Sequence, residues 1–96
     1  MKKFGGFFMF TLLDFYADWC GPCKMMGPIF SELEKDYKGK IEFKKIDVEA
    51  EGKMAAQFQV ESIPTFVILK DDKEVDRRRG ATSKEVIKQW IDSHLK

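Results

Sequence analysis

The sequence predicts an α/β domain, one mixed sheet flanked by helices on both faces. Short apolar runs alternate with amphipathic stretches in the order strand, helix, strand, helix, strand, strand, helix. A helical crossover separates the first two strands, which favours parallel pairing, whereas only Asp71-Asp72 separates the last two, which requires an antiparallel hairpin. With 96 residues there is room for one small domain and too little for two, so residues 1–96 are read as a single unit.

The elements follow in order. Residues 7–17 form a nearly continuous apolar run rich in Phe and Leu, the pattern of a strand buried on both faces, with Asp14 as its exception. Met25, Met26, Ile29, Phe30, Leu33 and Tyr37 then recur at helical spacing, which predicts a helix over 22–37 ended by Gly39. Pro22 suits its first turn, while Pro28 falls in its interior and is expected to kink it. Ile41 to Val48 reads as the second strand, but its alternation slips phase near Lys44-Lys45 and leaves the register open. A short helix around 52–59 places Met54, Ala55 and Phe58 on one face. Thr65 to Leu69 is a buried strand, Asp71-Asp72 a turn, and Glu74 to Arg79 an edge strand that Gly80 breaks. The last helix opens on Thr82-Ser83-Lys84-Glu85, which has the spacing of a capping box. Its apolar stripe is Val86, Ile87, Trp90, Ile91 and Leu95.

Composition narrows the function. Hydrophobic residues at 44% suit a packed core, and a net charge of +1 supplies no field to recruit nucleic acid or an anionic membrane. Met1-Lys2-Lys3 and the apolar residues after it resemble the start of a secretory signal. However, no small-residue cleavage site follows, Asp14 interrupts the run, and cleavage beyond it would remove the strand. The run is also too short to span a bilayer, so a cytoplasmic protein is expected.

Cys20 and Cys23 are the only cysteines, in the run Trp19-Cys20-Gly21-Pro22-Cys23 at the junction of the first strand and helix. A pair this close cannot staple a domain together, but it can cycle between dithiol and disulfide. At a helix N-terminus, unpaired N–H groups and the helix dipole favour a thiolate at Cys20, the species that attacks a disulfide. Cys23, one turn inward, is placed to resolve the mixed disulfide, and Gly21-Pro22 restricts the loop between them. Half of a zinc site is a poor alternative, because structural zinc needs four ligands and His94 is the only histidine. Asp14, six residues before Cys20, leaves two readings open. Buried, its pKa would rise and it could exchange protons near neutral pH; otherwise it turns to solvent at a strand end or is neutralised by Lys45. Pro64 in Ile63-Pro64-Thr65 either marks a strand boundary or shapes a loop beside the cysteines, leaving Ile63 backbone groups to pair with an extended peptide. Trp19, beside an exposed site, reads as a contact residue. Arg77, Arg78 and Arg79, all the arginines present, read first as a solvated edge strand guarded by charge, and second as a preference for acidic partners.

These segments resemble the thioredoxin family. The matching stretches are Leu13 to Lys24, Pro28, Lys45-Ile46-Asp47-Val48, Ser62-Ile63-Pro64-Thr65-Phe66 and Gly80-Ala81, at compatible spacing over residues 11–96. The resemblance implies the thioredoxin fold with its N-terminal strand and helix shortened, since only 13 residues precede Asp14. Phe4, Phe7 and Phe8 are expected to cover part of the sheet so exposed, unless that edge pairs with another chain. The resemblance further implies a cytoplasmic, monomeric protein-disulfide reductase that holds no bound cofactor or metal. Its redox-active disulfide is recharged from NADPH through a thioredoxin reductase, and its partners are disulfide-containing proteins, with neither nucleic acid nor membrane among them. Cys20 matches the family nucleophile, Cys23 the resolving cysteine, Asp14 the buried acid, Lys45 the lysine near it and Pro64 the cis-proline. Trp19, Gly21, Pro22, Ser62, Ile63 and Gly80 fall on the partner-binding surface. The Gly-Pro spacer is like that of the reducing members, whose characteristic potential is about −270 mV. Arg79 stands where an apolar residue commonly lines the partner groove. The alternatives are a binding subunit of a larger assembly whose thiols are incidental, and an oxidase or isomerase.

Overall fold

The computed structural model describes residues 9–95. Its elements follow the predicted order: β1 (Phe10–Tyr16), α1 (Gly21–Asp36), β2 (Ile41–Asp47), α2 (Gly52–Gln57), β3 (Thr65–Lys70), β4 (Lys73–Arg79) and α3 (Lys84–His94). Phe4, Phe7 and Phe8, and with them the first two residues of the expected strand, lie outside the described residues.

The sheet order is β2-β1-β3-β4, with β1 parallel to β2 and antiparallel to β3, and β3 antiparallel to β4. β1 is thus paired on both sides, and its alternate side chains serve two separate cores. Leu12, with Ile41, Phe66 and Ile68, packs under Met26, Phe30 and Leu33 of α1 and Ile87 and Ile91 of α3. Leu13 and Phe15, with Ile46, Val67 and Leu69, pack on the other face against Met54, Ala55 and Phe58 around α2. A strand covered by helices on both sides must be apolar at nearly every position, which is the run the sequence carries.

The two cores also explain the phase slip in β2. Its register against β1 is unbroken from Phe10↔Ile41 to Tyr16↔Asp47. Ile41 and Phe43 face α1, Ile46 faces α2, and the face of Lys45 continues that of Phe43 as the partner of Asp14. The apolar residues change face along the strand while the pairing stays regular.

The β3–β4 turn places Asp71 and Asp72 at φ 51° and 67°, the left-handed pair that a two-residue hairpin needs to match strand twist. α1 runs on through Pro28, which leaves the carbonyl of exposed Lys24 without its helical N–H donor. The start of α3 corrects the sequence reading. Ser83, not Thr82, is the N-cap, its hydroxyl accepting from the Val86 N–H at 3.2 Å. The third residue past this cap is therefore Val86, so Glu85 is not placed to complete the expected box. Val86 also leaves the apolar stripe, at 37% exposure, because Ile87, Trp90, Ile91 and Leu95 define the inward face and Val86 falls beside it. The arginines of β4 are not uniformly solvated either. Arg77 forks onto Glu74 at 2.6 and 2.7 Å and donates to the Phe58 carbonyl at 2.7 Å, and the Nε of Arg78 is buried, while Arg79 is exposed.

Candidate active site

β1 delivers the chain to Tyr16, and a turn closed by the Cys20 N–H on the Ala17 carbonyl at 3.2 Å brings it to α1. Cys20 is the N-cap, with extended backbone at φ −85° and ψ 113°, and its sulfur accepts from the Cys23 N–H at 3.2 Å. Pro22 occupies the first turn, where its missing N–H costs nothing. The two cysteines form a disulfide across a Cα–Cα distance of 5.2 Å. Their exposures, 5% and 7%, do not tell them apart. The difference between them is electrostatic, because the helix terminus aims a backbone donor at Cys20.

The Cys20 sulfur lies 3.9 Å from the Ile63 carbonyl oxygen, and the Ile63-Pro64 peptide bond is cis. The loop around it is tied down from within. Thr65 Oγ1 donates to the Ser62 carbonyl at 2.6 Å, and the Gly80 N–H donates to the Pro64 carbonyl at 2.8 Å. Gly80 holds φ 90°, a conformation that suits glycine alone among common residues. Trp19, at 66% exposure, borders a groove with Val48, Val60, Ser62 and Ile63. Gly21 and Pro22, between the two cysteines, are exposed. Ser62, Ile63, Pro64 and Gly80, distant from Cys20 in sequence, thus form one tied loop whose Ile63 carbonyl reaches the Cys20 sulfur, with Trp19 beside it across the groove.

Asp14 is 2% exposed, which excludes the strand-end, solvent-facing reading. Its Oδ1 accepts no hydrogen bond from the described residues, and burial pushes its pKa up to about 6 against a smaller downward pull from Lys45. Lys45 is its direct register partner but makes no ion pair with it among the described residues. A second cleft reaches Cys23 from this side, lined by Tyr16, Asp18, Lys24 and Lys45.

Two contributors escape the sequence reading. Tyr16 passes there as part of an apolar run, although alternation from Asp14 puts it on the same face. Met26, read as core, accepts the Thr82 N–H on its sulfur at 3.4 Å and so ties the Gly80 loop to α1; no sequence signal marks this contact.

A family profile described as Thioredoxin matches residues 9–93. Thioredoxin from Staphylococcus aureus (strain Mu50 / ATCC 700699) is 45% identical over 84 residues, covering 88% of this chain and 81% of the relative. Thioredoxin from Staphylococcus haemolyticus (strain JCSC1435) is 46% identical over the same share. Among solved structures, Plasmodium falciparum thioredoxin superposes with a TM-score of 0.82 at 35% identity, over 88% of this chain and 81% of that one. A point-mutant thioredoxin from Halobacterium salinarum NRC-1 gives 0.84 at 33% identity, over 92% and 76%.

Proposed function

The chain belongs to the thioredoxin family, and from that premise we propose how its residues divide the work of reducing a protein disulfide. It is a thiol-disulfide oxidoreductase of the protein-disulfide reductase type, working through Cys20 and Cys23. The observation that carries the division of roles is the Cys23 N–H directed at the Cys20 sulfur, which favours a thiolate at Cys20 in the reduced protein.

In this reading the Cys20 thiolate attacks one sulfur of the target disulfide, forming a mixed disulfide and releasing the other target sulfur as a thiolate. Asp14, ionised above about pH 6, takes the proton of the Cys23 thiol. The Cys23 thiolate then attacks the Cys20 sulfur, closing the Cys20–Cys23 disulfide and freeing the second target thiolate. Two electrons pass to the target. Lys45 tempers the charge on Asp14, while Trp19, Gly21, Pro22, Ser62, Ile63, Pro64 and Gly80 receive the target segment, which lies against the Ile63 backbone.

Return of the two electrons requires an external dithiol donor, which we assign to a thioredoxin reductase drawing on NADPH, and we infer a cytoplasmic monomer in which residues 1–96 act as one domain. A reducing compartment is where such a donor keeps the pair as thiols. No helix of the described residues is long and apolar enough to cross a membrane. The direct test is insulin reduction by dithiothreitol, which the protein accelerates and Cys20→Ser does not. Failure of the wild type to accelerate it overturns the reading.

A further inference from the structure

Lys45 stands directly across the β1–β2 pair from Asp14, and an ammonium so close to a buried carboxyl would be expected to seek it. It lies instead 4.4 Å from the centroid of the Tyr16 ring. An aromatic face attracts a cation through its quadrupole, more strongly where water is partly excluded. Tyr16 is two residues along β1 from Asp14, so both side chains leave the sheet on the same face. The ring is half-buried and packs against Ala17, Cys20 and Cys23, so the core of the redox centre itself fixes its place. Its backbone is held as well, the Tyr16 carbonyl accepting from Val48 N–H at 2.9 Å.

We propose that Tyr16 is a positioning residue for the proton step: its ring holds the Lys45 ammonium and withholds it from the Asp14 carboxyl, which stays free to accept the Cys23 proton. The inference rests on the reading of Asp14 as that acceptor. An ammonium seated on the carboxylate would stabilise its charged form and leave it a poor base. Held on the ring, it still acts on Asp14 through space, but burial remains the larger influence. The remaining charged neighbours do not take its place. Asp18 from the turn and Lys24 from α1 line the cleft beside Cys23. Asp47 and Glu51 act on Tyr16 along with Asp18 and Asp14, and β3 offers Asp14 only Phe66 as its register partner.

The test is a double-mutant cycle read by carboxyl-carbon NMR titration of Asp14 in the oxidised protein. Tyr16→Leu is expected to lower the Asp14 midpoint by about one pH unit as Lys45 moves onto the carboxylate. Tyr16→Phe, which keeps the ring face, is expected to hold the midpoint within a few tenths of a unit. In a Lys45→Met background, Tyr16→Leu is expected to leave the midpoint where Lys45→Met alone puts it. Tyr16→Met, bulky but without a ring face, serves in the same cycle should Tyr16→Leu fail to fold. An equal drop with and without Lys45 would mean that the ring merely excludes water, and would overturn the proposal, as would no drop at all. The low-pH limb of disulfide exchange should move with the NMR midpoint. If the midpoint moves and the limb does not, Tyr16 still positions Lys45, and the proton role of Asp14 is what fails.

Discussion

The carbonyl oxygen of Ile63 lies 3.9 Å from the sulfur of Cys20, while the carbonyls on either side of it, Ser62 and Pro64, are bonded back into the protein. Of three consecutive acceptors, the middle one alone faces the redox centre. A thiol at Cys20 can donate to it weakly; a thiolate cannot, and instead draws on the Cys23 N–H.

That asymmetry predicts distinct outcomes for the two cysteines. Cys20→Ser should reduce insulin turnover to the uncatalysed background, whereas Cys23→Ser should accumulate mixed disulfides linked through Cys20, identified by mass spectrometry of trapped complexes. Partners recovered through Cys23 in the reciprocal variant would reverse the assignment. A double Cys→Ser variant that kept biological function would favour a binding subunit over a carrier.

Asp14 predicts a pH dependence of both rate and stability. Its carboxyl moves from 3.8 to about 6 on folding, so the native state binds the proton more tightly than the unfolded chain. Stability is therefore lost as pH rises from about 4 through about 6, by about 3 kcal/mol once the group is ionised. Asp14→Asn removes this slope, and urea unfolding should show the variant gaining about that much on wild type between pH 4 and pH 7. A constant difference across that range would mean that Asp14 is not held buried. Exchange near neutral pH should slow roughly a hundredfold in the same variant.

Ser83→Ala should cost about 1 kcal/mol of unfolding free energy, the usual value for an N-cap hydroxyl, and Thr82→Ala much less. Thermal or urea unfolding of the two variants decides between the caps. The larger loss at Thr82 would restore the box expected from sequence.

Arg79 pairs with Thr65 in the β3–β4 register, next to Pro64 and Gly80, and is exposed. With its charge at the rim, Arg79→Val should slow reduction of an acidic disulfide peptide several-fold at low salt and little at high salt, leaving the reduction potential unchanged. Equal effects on acidic and basic peptides would show that the residue does not select by charge.

The element order and the redox pair were legible in the chain, because each is written in local pattern: apolar runs, a two-residue spacer, strands joined by one crossover. The Asp14–Lys45 register, left open by the slipped alternation, came from the strand pairing itself. What was not legible depends on which surfaces meet. The slipped alternation of β2 made sense only once two cores on opposite faces were seen. Ser83 rather than Thr82 caps α3, a choice the local sequence does not decide, since both residues are good caps in isolation. The cis state of Ile63-Pro64 has no local signature, since tertiary packing selects the isomer. Tyr16 was hidden by its own hydrophobicity; only the whereabouts of the Lys45 ammonium separates it from an ordinary core ring.

Because the Ser62 and Pro64 carbonyls are already bonded within the protein, the loop offers the Ile63 backbone as its one strip toward Cys20. If a target pairs with that strip as proposed, a disulfide locked in a helix or a rigid turn has to be loosened before its chain can lie straight along Ile63, and the pace of reduction becomes a gauge of how often that stretch of the target breathes open. On this view the protein sorts its clients by local mobility before it ever tests their chemistry.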